Sequence, residues 1–267
     1  MAYTEWGDPH NGKVLVCAHG LTRVGRDFDF LAARMAGEYR VVCPDVLGRG
    51  HSDWLQDPSG YQIPAYAADM VTLIARLDAQ ELHWLGTSMG GLIGMAIASL
   101  PDTPIRRLVL NDVGPVITVQ SLERIAQYVG AAPAFPSLEV AEQYIRLVSA
   151  PFGDLTDDQW RHLTVHSVRT LPEGGYRMHY DPALAEPFRA AYGGGQDITL
   201  WPIYEAIACP TLVVRGALSD LLTPATHAEM GARGPRATTV EIPRVGHAPM
   251  FMIDEQVRPV HDFLLGA

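Results

Sequence analysis

The sequence predicts an α/β fold built on a mostly parallel sheet. Two observations carry this. Short apolar runs of strand length recur along the chain, as in Val14–Ala18 and Thr211–Gly216. Longer segments with a helical spacing of apolar residues lie between them, and that alternation belongs to parallel sheets with crossover helices. A third observation sets the class. Hydrophobic residues make up 48% of the chain and charged residues 19%, a balance that supports a packed core rather than disorder.

Taken in order, Val14-Leu15-Val16-Cys17-Ala18 reads as a buried strand. His10-Asn11-Gly12-Lys13 before it reads as a turn, and Asn-Gly suggests a hairpin. Further strands are expected at Arg40–Pro44, Leu82–Gly86, Arg107–Asn111, Thr211–Gly216 and Thr238–Ile242. Tyr66–Ala79 sets Ala67, Met70, Val71, Ile74 and Leu77 on one helical face. Leu92–Leu100 is almost wholly apolar and predicts a helix buried on most sides. Gln256–Leu265 predicts a closing helix.

The strand rhythm stops after Asn111 and resumes at Pro210. Between Gly114 and Pro202 lie mostly helices and loops rich in aromatic residues, with an acidic helix start after Thr156. This predicts a core of residues 1–114 and 203–267 interrupted by a helical cap at 115–202. Tyr192–Gln196 reads as a loop or hinge.

A chain of 267 residues can bury a full core without staples. The net charge is −10, with Lys13 the only lysine, which argues against a nucleic-acid partner. Cys17, Cys43 and Cys209 form no C-x-x-C pair and no disulfide framework. No signal peptide and no membrane-length apolar run is visible, so a soluble cytoplasmic protein is expected, monomeric or homodimeric.

The strongest chemical signal is Gly86-Thr87-Ser88-Met89-Gly90. It fits G-x-S-x-G between a predicted strand and a predicted helix, the setting of a nucleophile on a sharp turn. The helix that follows adds N–H groups favourable to developing negative charge. A serine hydroxyl needs an adjacent base. Among ten histidines, His247 lies after the last strand and before the last helix, late in the chain as the order Ser, acid, His requires. The base in turn needs a carboxylate. Asp220, in the loop that directly follows the Thr211–Gly216 strand, is the preferred candidate on chain order and loop length. Asp112, just after Leu110-Asn111, is its rival. The oxyanion hole is expected from the N–H groups of Met89, next to the nucleophile, and Leu21, in the loop His19-Gly20-Leu21-Thr22. His19 reads as a residue that shapes this loop.

Together, Cys17–Leu21, Pro44–Ser52, Gly86–Gly91, Ser219-Asp220 and Gly246–Pro249 resemble an α/β-hydrolase-fold enzyme over essentially the whole chain outside the cap. The resemblance implies a mostly parallel eight-stranded sheet, helices on both faces, a helical cap, a Ser88–His247–Asp220 triad and a Leu21/Met89 oxyanion hole. It makes Asp45–Ser52 a structural loop bordering the site. Serine as nucleophile departs from the aspartate of haloalkane dehalogenases and epoxide hydrolases. Ala248 stands where many carbon–carbon bond hydrolases carry tryptophan, and Met252 where many relatives have glutamate.

The expected activity is hydrolysis of small to medium apolar carboxylic esters through an acyl-enzyme on Ser88, without a cofactor. A lactonase, including one for enol-lactones, and a carbon–carbon bond hydrolase of aromatic breakdown would use the same motif. A non-catalytic ligand-binding relative is the alternative of a different class. His162 and His166, spaced i, i+4, lack an H-E-x-x-H pattern and an evident third ligand, so no metal is expected. Arg23 and Arg26 read as solvated arginines.

Overall fold

A computed structural model describes residues 1–131, 133–192 and 195–266. The chain begins with strands β1 (Tyr3–Trp6) and β2 (Lys13–Ala18), helix α1 (Asp29–Met35) and strand β3 (Arg40–Pro44). Helix α2 (Ile63–Leu77), strand β4 (Glu81–Thr87), helix α3 (Met89–Ala98) and strand β5 (Ile105–Asn111) follow. After β5 run β6 (Val116–Ile117), α4 (Val119–Tyr128), β7 (Ala134–Phe135), α5 (Leu138–Val148) and α6 (Asp157–Ser167). The same stretch continues through β8 (Val168–Thr170), β9 (Tyr176–Met178), α7 (Ala185–Tyr192), β10 (Ile198–Thr199) and α8 (Trp201–Glu205). Strand β11 (Thr211–Gly216), α9 (Pro224–Met230), β12 (Thr238–Ile242) and α10 (Asp254–Leu265) complete the chain.

The central sheet has the order β1-β3-β2-β4-β5-β11-β12. All neighbours are parallel except β1, which runs antiparallel to β3. Seven strands stand here among the described residues, against the eight implied by resemblance. The Asn11-Gly12 turn does not close a hairpin either, because β3 lies between β1 and β2. The Asn11 side chain instead accepts from the Lys13 N–H at 2.9 Å and donates to the Glu38 carbonyl at 3.0 Å.

The strands are apolar on both sides because both faces are covered. On one face Val14, Val16 and Trp84 pack with α2 and α3; on the other Leu15, Leu85 and Val109 pack with α1 and α10. Helix α3 is buried along nearly its whole length, as its composition predicts. Gly94 lets it approach β4, since a Cβ there would overlap the Trp84 indole. Helix α2 starts three residues earlier than the periodicity suggested, with Pro64 in its first turn and Asp78 in a left-handed conformation ending it.

The segment between β5 and β11 is not all helix. Its short strands pair as β7-β9-β8 and β10-β6, both antiparallel. Strands of two or three residues carry too little periodicity to show in sequence. Helix α6 begins as the sequence predicts, with Thr156 and Gln159 forming a reciprocal capping box. Gln159 also donates to the Met252 carbonyl at 3.0 Å, fastening the segment to the core beside the His247 loop. Of the predicted hinge Tyr192–Gln196, Gly193 and Gly194 lie outside the described residues.

Candidate active site

In a parallel sheet the carboxyl ends of the strands share one edge, and the loops there converge. Ser88 follows β4, Asp112 follows β5, His247 follows β12 and the His19–Leu21 loop follows β2. Ser88 sits at φ 52°, ψ −116°, a left-handed conformation that a non-glycine residue adopts only when its surroundings enforce it. The enforcement comes from crowding. A Cβ on Gly86 would overlap the Gly90 carbonyl, and one on Gly90 would overlap the Ala18 carbonyl. Only glycines allow strand, turn and helix to pass this closely.

His247 Nε2 lies 3.0 Å from Ser88 Oγ, and His247 Nδ1 lies 2.7 Å from Asp112 Oδ2. The predicted acid, Asp220, does not reach His247. It turns outward, half exposed, and pairs with Arg124, Nη2 donating to Oδ1 at 3.0 Å. The rival position is the one the fold selects. Thr87 and Asn111 are register partners on β4 and β5, so the residues that follow them, Ser88 and Asp112, emerge side by side. Chain order could not separate the two aspartates, because both lie between Ser88 and His247. The loop carrying Asp220 still contributes: Ser219 Oγ donates to Asp112 Oδ2 at 2.6 Å, and the Gly216 N–H donates to Oδ1 at 2.9 Å. Asp112 is fully buried, and its two oxygens are engaged by His247, Ser219 and the Gly216 N–H.

The His247 loop is held from below. Asn111 Nδ2 donates to the Pro249 carbonyl at 2.8 Å, and the buried Gln256 Oε1 accepts from the Met250 and Phe251 N–H groups. Sequence reasoning missed Gln256, whose place as the first residue of the predicted closing helix gave no signal.

The loop after β2 is equally fixed. His19 is fully buried, and burial pushes its pKa down to about 4, so the ring is neutral. Its Nε2 accepts from the Val46 N–H at 3.0 Å, which leaves Nδ1–H to donate to the Gly20 carbonyl at 2.7 Å. Asp45 braces the same region, accepting from the Gly25 and His51 N–H groups. The Leu21 N–H has no backbone acceptor among the described residues, and Met89, as the first residue of α3, has no intrahelical one. Arg49 links both positions, with Nε donating to the Leu21 carbonyl at 2.8 Å and Nη2 to Met89 Sδ at 3.3 Å. Burial lowers its guanidinium pKa from the ordinary value.

Two cavities meet at Ser88. The smaller, about 130 Å³, is bordered by His247, Arg23, Arg124, Tyr128 and Tyr144. The larger, about 710 Å³, is bordered by Met89, Leu92, Val113, Ile117 and Leu122. Leu21 and Ser88 border both.

Residues 15–262 match the model of the Alpha/beta hydrolase family. The chain belongs to this family. Its fold superposes on an alpha/beta hydrolase from Novosphingobium aromaticivorans with a TM-score of 0.89, at 36% identity, over 99% of this chain and 93% of that one. It is 52% identical to a 3-hydroxybutyrate-oligomer hydrolase of Cupriavidus necator, over 100% of this chain and 93% of that protein. It is 26% identical to an esterase of Mycobacterium tuberculosis, over 78% of this chain and 68% of that protein. These relatives place the chain among the carboxylic ester hydrolases of the family. No helix among the described residues is long and apolar enough to cross a membrane.

The arginines expected in solvent are engaged. Arg23 grips Asp27 with Nε and Nη2 at 2.8 and 2.7 Å, and Arg26 holds Asp29. The His162–His166 pair gains the third group that the sequence lacked. Asp29, His162 and His166 offer ligand atoms within 4.8 Å of one another. Arg26 already occupies both Asp29 oxygens, so a cation there would have to share that carboxylate.

Proposed function

We propose that the protein hydrolyses ester bonds in short oligomers of 3-hydroxy acids, of the 3-hydroxybutyrate kind, through an acyl-enzyme on Ser88. The observation that carries this reading is the relay from Asp112 through His247 to Ser88, set where two cavities meet. An oligoester needs space on both sides of the bond being cut. The 52% identity to a 3-hydroxybutyrate-oligomer hydrolase supports the substrate class.

In the first step Ser88 Oγ attacks the ester carbonyl while His247 Nε2 takes its proton. Asp112 holds His247 in the tautomer with Nδ1 protonated and stabilises the imidazolium. The N–H groups of Leu21 and Met89 receive the tetrahedral oxyanion, and the buried Arg49 keeps both in place. His247 then gives its proton to the leaving alcohol. Water, activated by the same ring, releases the acid and restores Ser88. Residues 115–202 act as a cap that walls the cavities above Ser88. No step in this sequence calls for a metal or cofactor.

The experiment is hydrolysis of 3-hydroxybutyrate dimer and trimer beside a panel of simple esters and lactones, with a fluorophosphonate adduct mapped by mass spectrometry. Adduct on Ser88, lost in His247→Ala, together with acid release from the oligomers, is the expected outcome. Faster turnover of lactones than of any open-chain ester would overturn the substrate class. Absence of adduct from folded protein would overturn the mechanism.

A further inference from the structure

An oligomer of a hydroxy acid is directional, with a free carboxylate at one end and a hydroxyl at the other. The two cavities at Ser88 are equally unlike one another. We infer that the oligomer lies across Ser88 with its carboxylate end in the smaller cavity, so that hydroxy-acid units are released singly from that end. The inference rests on the oligoester reading above.

Three observations fix the direction. The first is the position of the general acid. His247 borders only the smaller cavity, and a proton donor must reach the leaving oxygen. The leaving alcohol therefore occupies the smaller cavity and the acyl portion the larger. In a 3-hydroxy acid oligomer the alcohol side of each ester leads towards the carboxylate end.

The second is volume. The smaller cavity, at about 130 Å³, has less than a fifth of the volume of the larger, so the shorter portion of the oligomer suits it. The larger cavity, at about 710 Å³, accommodates several more units, and its apolar walls suit their methyl groups.

The third is charge. Arg23, Arg124 and Asp27 border the smaller cavity, two cations against one anion. Asp220, the partner of Arg124, does not border it. Asp27 engages Nε and Nη2 of Arg23, leaving Nη1 without a partner among the described residues. At the larger cavity the exposed charges are Asp57 and Glu186, both acidic. Arg49 borders it but is fully buried, and its N–H groups are given to the Leu21 and Leu47 carbonyls, Tyr66 Oη and Met89 Sδ. A carboxylate is thus favoured on the Arg23 side and disfavoured on the other.

The chemistry balances. The bond from Ser88 Oγ to the acyl carbon forms and the ester carbon–oxygen bond breaks. The serine proton passes through His247 to the departing oxygen, which becomes the hydroxyl of the released 3-hydroxy acid. Water then supplies hydroxyl to the acyl carbon and a proton to Ser88, freeing an oligomer one unit shorter.

The test uses the whole protein and a 3-hydroxybutyrate trimer carrying a carbon-13 label in its carboxyl-end unit. Labelled monomer and unlabelled dimer are expected as the first products. The methyl ester of the trimer should lose about tenfold in kcat/KM, mainly through KM, because it forfeits a charged hydrogen bond. In Arg23→Gln the ratio of free-acid to methyl-ester turnover should fall towards one, a ratio independent of the folded fraction. Label appearing first in the dimer, or equal turnover of acid and methyl ester by the wild type, overturns the inference while leaving oligoester hydrolysis intact. Hydrolysis of simple esters with no cleavage of any oligomer overturns the substrate reading and this inference with it.

Discussion

Replacing Asp112 with asparagine should nearly abolish activity, whereas the same change at Asp220 should not. Asp112 Oδ2 accepts from His247 Nδ1 at 2.7 Å and Ser219 Oγ at 2.6 Å, and Oδ1 accepts from the Gly216 N–H at 2.9 Å. An amide has one acceptor and one donor end. With its NH₂ towards His247, it would drive the ring proton onto Nε2, facing Ser88, and the base would be lost. With its NH₂ towards Gly216, two buried donors would oppose each other at a cost of about 1–3 kcal/mol. A wrong tautomer lowers kcat by about 10⁴-fold, equivalent to about 5.4 kcal/mol at 1.36 kcal/mol per decade. Asp220→Asn removes only a half-exposed ion pair to Arg124, worth about 0–1 kcal/mol in solvent. Initial rates on p-nitrophenyl butyrate, with folding checked by circular dichroism, compare the two. A well-folded Asp112→Asn enzyme keeping a tenth of wild-type kcat, or an Asp220→Asn enzyme losing a thousandfold, would refute the assignment.

Two further outcomes follow from buried groups. Burial lowers the pKa of His19, His83 and His166 from 6.5 to about 4, so between these values the unfolded chain binds protons that the folded one does not. Stability is therefore full above pH 6.5 and falls as pH drops towards 4, by about 3 kcal/mol for the fully buried His19 alone; melting temperatures across that range that stay flat would contradict it. Gly90→Ala puts a methyl group against the Ala18 carbonyl, and expressed protein should show a strongly lowered melting temperature and no fluorophosphonate adduct on Ser88.

Part of the candidate site is legible in the sequence. The turn at Ser88 is written in its flanking glycines, because a sharp strand-to-helix turn excludes side chains at Gly86 and Gly90. His247 was legible from its place between the last strand and the last helix. The acid was not, since Asp112 and Asp220 fit the same order along the chain. The register of β4 against β5 sets Asp112 beside Ser88, while Asp220, in the loop after β11, pairs with Arg124. Arg23 was misread for a related reason. An arginine near a loop is usually solvated, and its grip on Asp27 depends on the turn that follows.

The sequence by itself determined the alternation of strands and helices, the nucleophile turn and the late histidine, because each rests on local spacing and backbone conformation. The tertiary structure decided the strand order that places β3 between β1 and β2, the choice between two aspartates, and the meeting of a small cationic cavity with a large apolar one at Ser88. Those are contacts between residues far apart in the chain, and no local pattern encodes which of several partners a packed sheet will bring together.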